Sequence, residues 1–163
     1  MKNQTNLPVS SIAVKVLIVG LIVGTFDITA ALIKYYLTTG KDPVFIFKYI
    51  ASGIFGSEAL SSGIPIILIG LLLHYGIAIS FTVFFCLLYN RLPIISKNKV
   101  LAGIFYGLFI WTIMNFLVVP LSNTPKGAFN LPHAIKELLI LICMIGLPLP
   151  FLVSSFVFNK RTG

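Results

Sequence analysis

Four apolar runs of about 20 residues constrain this chain more than any motif in it. Each is long enough to cross a hydrocarbon core of roughly 30 Å. Together they fill more than half of the 163 residues and leave only short connections. Inside a bilayer every backbone N–H and C=O must find a partner within the protein, so a run of this length is read as a helix. Charge argues the same way: 10% of residues are charged, against roughly 25% in soluble domains. The sequence predicts an all-α, polytopic membrane protein forming one integral membrane domain over 1–163, with four transmembrane helices and one short helix.

The first span is expected at about 12–33, before Thr38, Thr39 and Gly40. The second covers about 64–89 and ends at Asn90, Arg91, Leu92 and Pro93. The third, about 100–119, is expected to stop at Pro120, whose ring removes a donor and clashes with the preceding turn. The fourth covers about 138–158, and its helix starts near Asn130 and Pro132. Pro148 and Pro150 lie inside it and are expected to break or kink it where protein or water re-satisfies the freed carbonyls. Lys2 ahead of the first run is reminiscent of a signal peptide. The run is too long, holds Asp27 and lacks a small-residue cleavage site, so an uncleaved span is expected.

Between the first two spans, Asp42 and Pro43 suit a helix start, and residues 43–60 read as a short helix. Lys48, Glu58 and many small residues make it a poor fifth span and a better interfacial or re-entrant helix. The net charge of +8 is spread singly through loops and span ends, which fits membrane orientation better than nucleic-acid binding. Lys2, Lys15, Arg91, Lys97, Lys99, Lys160 and Arg161 fall on one side. Lys34, Lys41, Lys48, Lys126 and Lys136 fall on the other, with Asp42, Glu58 and Glu137. That asymmetry predicts both termini in the cytoplasm. Cys86 and Cys143 each lie in an apolar run, are read as small buried groups, and are not expected to pair.

Polar groups within the spans are few and therefore informative. An aspartate near the centre of a spanning helix costs roughly 2.5 to 3.5 kcal/mol, so Asp27 needs something to offset it. It shares a helix face with Gly20, Gly24 and Ala31. Gly70, His74, Ala78 and Thr82 form a second ladder of every fourth residue, and Gly103, Gly107, Trp111 and Asn115 a third. The glycines Gly20, Gly24, Gly70, Gly103 and Gly107 are expected to pack helices closely, within one bundle rather than across a homodimer. Asp27, His74 and Asn115 all fall in the outer half of their spans, so one polar network is expected to hold them. Two roles stay open for Asp27 and His74: interhelical fasteners, or groups serving a proton or a solute.

His133 and Glu137, four apart, are weak candidates for a metal, because two ligands are too few. Glu137 reads equally well as an acid favoured by the N-terminal end of the helix dipole. No cofactor is indicated. No Ser or Thr in a span has an adjacent base, so catalysis is not expected. The first and third spans both open with a Gly-xxx-Gly step, and the following connections both hold a proline and a lysine, Pro43 with Lys48 and Pro132 with Lys136. This hints at two duplicated halves.

The segments HYGIAISFTVFF from His74, GIFYGLF from Gly103, and PLSNTP followed by FNLP and Glu137 resemble the YagU-like bacterial inner-membrane proteins. Gly24, Thr25, Phe26 and Asp27, followed by IASGIFG, are similar to a pattern in other small bacterial membrane proteins. The resemblance covers most of the chain. It implies a multi-pass protein of the bacterial cytoplasmic membrane, and it does not bring a role for Asp27 with it. The expected function is a small transporter, channel or sensor whose intramembrane polar cluster serves protons or a small solute. The alternative is a non-catalytic structural or assembly subunit. The bilayer is the expected partner, with a second copy or another membrane protein besides, and no nucleic acid.

Overall fold

A computed structural model describes residues 9–92, 95, 97–127 and 130–158. Lys2, Lys160 and Arg161 of the charge count, Pro93 at the end of the second span and Phe129 of FNLP lie outside the described residues. The architecture is all-helical among the described residues. Six helices follow in order: α1 Val9–Thr39, α2 Phe45–Phe55, α3 Glu58–Ser61, α4 Ile64–Arg91, α5 Lys99–Leu121 and α6 Leu131–Val157. α1, α4, α5 and α6 are long and apolar enough to span a membrane. Their outward faces carry large apolar side chains, with Leu72 71% and Phe116 70% exposed. Such a surface is a liability in water and the natural face toward lipid.

Several boundaries differ from those expected. α1 runs six residues beyond Ile33 and is closed by Gly40, whose φ of 66° is open to glycine. The connecting helix is two, because Gly56 at φ 67° turns the chain between α2 and α3. Asp42 does bond the chain ahead of α2, its Oδ1 accepting from Val44 N at 2.9 Å. Asn98 and Asn130 cap α5 and α6 by accepting from Leu101 N and His133 N, both at 3.0 Å.

The prolines do not break their helices. α5 passes through Pro120 to Leu121, and α6 passes through both Pro148 and Pro150. Each helix widens instead into π-turns: Met114–Val118 in α5, and Ile142–Gly146 and Val153–Val157 in α6. In the second of these, Leu147 N bonds Ile142 O at 2.7 Å, one residue further back than in an α-helix. This rewinding has a second effect. Glu137, Leu141, Ile145, Leu149, Val153 and Val157 recur every fourth residue, and all face the bundle interior. At 3.6 residues per turn each such step drifts by about 40°. Wider turns absorb the drift and keep one face inward.

Two close helix pairs build the bundle. α1 packs along α4, where a Cβ on Gly20 would stand 2.9 Å from Ile79 and one on Gly24 3.0 Å from Ala78. α5 packs along α6, with Gly103 against the backbone of Gly146 and Gly107 against Ile142. Gly70 lies on the backbone of Phe47 and seats α2 on α4. α1 also contacts α6, which joins the pairs. α4 and α5 face each other through aromatic side chains instead: Phe81 and Phe84 against Phe109, and Phe85 against Tyr106, whose hydroxyl donates to Phe81 O.

The buried apolar core, including Val19, Val23, Phe85, Ile110, Leu149 and Val153, fills the half of the bundle nearer Val9, Arg91 and Val157. The cysteines part company: Cys86 is buried in this core, while Cys143 is exposed on the outer face of α6, and both are free thiols. Gly146→Val should lower the thermal midpoint in mild detergent by the equivalent of about 1 to 3 kcal/mol, the usual cost of overpacking. Gly76→Ala, where a Cβ would meet nothing within 4 Å, should leave the midpoint unchanged.

Candidate functional site

The other half of the bundle is hollow. A cavity of about 480 Å³ lies among α1, α2, α4, α5 and α6, floored by Phe81, Ile110 and Ile145. It exists because aromatic spacers hold α4 away from α5, whereas glycines draw the neighbouring pairs together. α2 closes one side with Tyr49 and Ile50. Ser122 and Thr124, in the connection after α5, stand at its upper rim. That connection is tied to α2: Asn123 N donates to Gly53 O at 3.0 Å, and its Nδ2 donates to Ile54 O at 2.9 Å.

Asp27, His74 and Asn115 all line this cavity. They share a space rather than a network, since among the described residues no hydrogen bond joins them. His74 Nε2 donates to Gly24 O at 2.8 Å. A carbonyl can only accept, so this bond fixes the Nε2–H form and leaves Nδ1 as the variable nitrogen. Gly24 permits it, because a side chain there would push α4 away. Asn115 Nδ2 donates to Trp111 O at 3.0 Å within its own helix, and Asn115 lies in the π-turn of α5, a feature that recurs at functional positions. The Asp27 carboxylate accepts no hydrogen bond from any described residue. Because α1 runs on to Thr39, Asp27 lies about 18 Å from that helix end, deeper than the span boundary at 33 implied.

Two further charged groups line the cavity, and the reading of the sequence did not join them to Asp27. Lys34, two turns beyond Asp27 on the same face, donates to Glu137 Oε1 at 3.3 Å. His133 Nε2 stands 3.0 Å from the same oxygen. Glu137 is seven residues into α6, counting Leu131 as the first, so the first-turn dipole position assigned to it is vacated and Asn130 serves as the cap. Its carboxylate joins α6 to α1 instead. No group of three His, Cys, Asp or Glu at metal-binding distance occurs among the described residues. The one signal in the sequence for Lys34 was its seven-residue spacing from Asp27. Nothing local announced Glu137, 103 positions away.

The charges therefore sort by depth. At the mouth, Lys34 is compensated by Glu137. Deeper, Asp27 is the sole acid on the cavity wall without an ion-pair partner among the described residues. A site of this kind attracts a cation, a proton or a hydrogen-bond donor and repels anions.

No family model, no curated protein and no solved structure matches the chain.

The cavity also predicts a pattern of water access. In a chain carrying Cys86→Ala and Cys143→Ala, a cysteine at Asn115 should react with a membrane-impermeant maleimide from one face only. A cysteine at Val23, which is 0% exposed in the core, should stay unlabelled over the same period.

Proposed function

We propose that this chain binds a small cationic or hydrogen-bond-donating solute, or protons, in its half-bundle cavity, as part of passage or sensing across a bacterial cytoplasmic membrane. The supporting observation is the Asp27 carboxylate, set deep in a cavity without a protein hydrogen-bond donor among the described residues. A structural fastener is held in place by its partner; among the described residues Asp27 has no hydrogen-bond or ion-pair partner to fasten to. An ionisable group kept within a membrane at a cost of this kind marks a pathway or a site by default.

His74 and Asn115 are the other working groups in this reading. His74 is oriented by Gly24 and presents its second ring nitrogen for proton exchange. Asn115 supplies a neutral donor and acceptor to the solute. The packed half below Phe81 and Ile110 closes the route on that side, so passage needs a rearrangement of the aromatic spacers, as alternating access requires. No bond is made or broken in the solute, and the chain is not read as an enzyme.

The excess of Lys and Arg on the side of the termini, together with the YagU-like motifs, supports cytoplasmic termini and a cavity mouth facing away from the cytoplasm. The assembly-subunit reading loses its main support, because Gly20, Gly24, Gly70, Gly103 and Gly107 are all occupied by helices of the same chain.

Asp27→Asn separates the two roles. The variant should keep or raise the thermal midpoint in detergent, since a charge held without a partner costs stability. It should also reduce proton flux in proteoliposomes, read with an internal pH dye, by about tenfold or more. Equal flux in wild type and in the Asp27→Asn, His74→Gln double variant, with a working positive control, contradicts the proposal, as does a marked fall in the midpoint of Asp27→Asn at neutral pH.

A further inference from the structure

A second depression lies on the outside of the bundle, against the cavity. It is a groove of about 530 Å³ between α4 and α5, almost wholly apolar, open toward the lipid-facing surface. Leu73, Ile77, Phe81 and Val118 line both the groove and the cavity. One layer of side chains is all that separates the two. The groove arises from the same cause as the cavity, because aromatic spacers rather than glycines set the distance between α4 and α5. Gly76 deepens it, since a Cβ there would meet nothing within 4 Å. Gly76 lines the groove and not the cavity.

We infer that the solute is an amphiphile with an amine headgroup and an apolar chain, reaching the cavity sideways from the bilayer between α4 and α5. This rests on the cavity reading above and narrows its substrate class. Charge complementarity selects the head: among the described residues Asp27 is the acid of the cavity wall without an ion-pair partner, while Lys34 already holds Glu137. Adjacency selects the tail, because a molecule whose head sits beside Asp27 and His74 has the apolar groove one side-chain layer away, behind Leu73, Ile77 and Phe81, and enters it when those side chains part. An apolar chain left among the charged and polar groups of the cavity would lose transfer free energy with every methylene, whereas in the groove it stays in contact with lipid and with Phe84 and Phe109. A ligand with a free anionic head is disfavoured by the Asp27 carboxylate, the acid of the cavity wall that Lys34 does not compensate.

The test uses the full chain in nanodiscs of phosphatidylglycerol, whose lipids carry no competing amine. The probe is dodecylamine bearing a photoreactive diazirine at the chain end, with cross-links mapped by mass spectrometry. Cross-links should concentrate on α4 and α5 around Gly76, Ser80 and Phe109. Excess dodecylamine should compete and dodecanol should not. Asp27→Asn should cut labelling there by about tenfold, the scale of one charge-assisted contact. Gly76→Leu, which fills the groove, should cut it similarly while butylamine still protects a cysteine placed at Ile50, which lines the cavity, from maleimide.

Labelling spread evenly over the outer faces of all spans overturns the inference, and so does labelling at Gly76 that ignores Asp27→Asn, the mark of an ordinary lipid. Loss of butylamine protection in Gly76→Leu also overturns it, because the substitution then acts by disturbing the cavity itself and not by filling a lateral groove. Butylamine protection without localised cross-links removes the lateral route and leaves the cavity reading standing. Failure of both probes removes both readings.

Discussion

The distance between neighbouring helices is the constraint on which the rest of this structure depends. In lipid no hydrophobic drive pushes spans together, so packing is decided by how near two backbones can come. Glycine sets a short distance between α1 and α4 and between α5 and α6. Between α4 and α5 the spacing is set by Phe81, Phe84, Phe85, Tyr106 and Phe109. A four-helix arrangement with two tight seams and one wide one cannot be solid throughout. The chain fills the wide seam with aromatic rings and branched side chains in one half of its depth and leaves it hollow in the other.

That division places the polar groups. His74 reaches the Gly24 carbonyl because the tight α1 and α4 seam removes any side chain from between them. Asp27, about one turn further along α1, faces the hollow instead. The two residues are thus neighbours in depth with opposite circumstances, one satisfied by backbone and one left to whatever enters. Lys34 and Glu137 tie α1 to α6 near the mouth.

Much of this was legible in the sequence, for a physical reason in each case. A run of 20 apolar residues has one stable form in lipid, so the spans stand out. Ladders such as Gly70, His74, Ala78 and Thr82 report one buried face because the helical period is short and local. The proline effects were not legible. Pro120, Pro148 and Pro150 each remove one donor, but a π-turn shifts the bonding by one residue and accommodates the loss, a choice made by tertiary packing. Gly146 went unnoticed because a lone glycine has no spacing to betray it; its partner Gly103 lies on another helix. The cavity itself was out of reach, since it is a property of the gap between α4 and α5. The Lys34 and Glu137 pair is non-local for the same reason.

The π-turn of α6 at Ile142–Gly146 has a consequence for how the chain separates its two sides. Beyond that turn lie Leu149, Val153 and Val157, which plug the solid half against Val19 and Phe85. Winding the same residues as a regular α-helix, without the extra residue that the wide turn absorbs, would swing everything after it by about 100°, the rotation of one residue. The plug would then point toward lipid, while the length and hydropathy of the span barely changed. The packing of the solid half is therefore written in the winding of one helix, and an inventory of apolar residues would not register its loss.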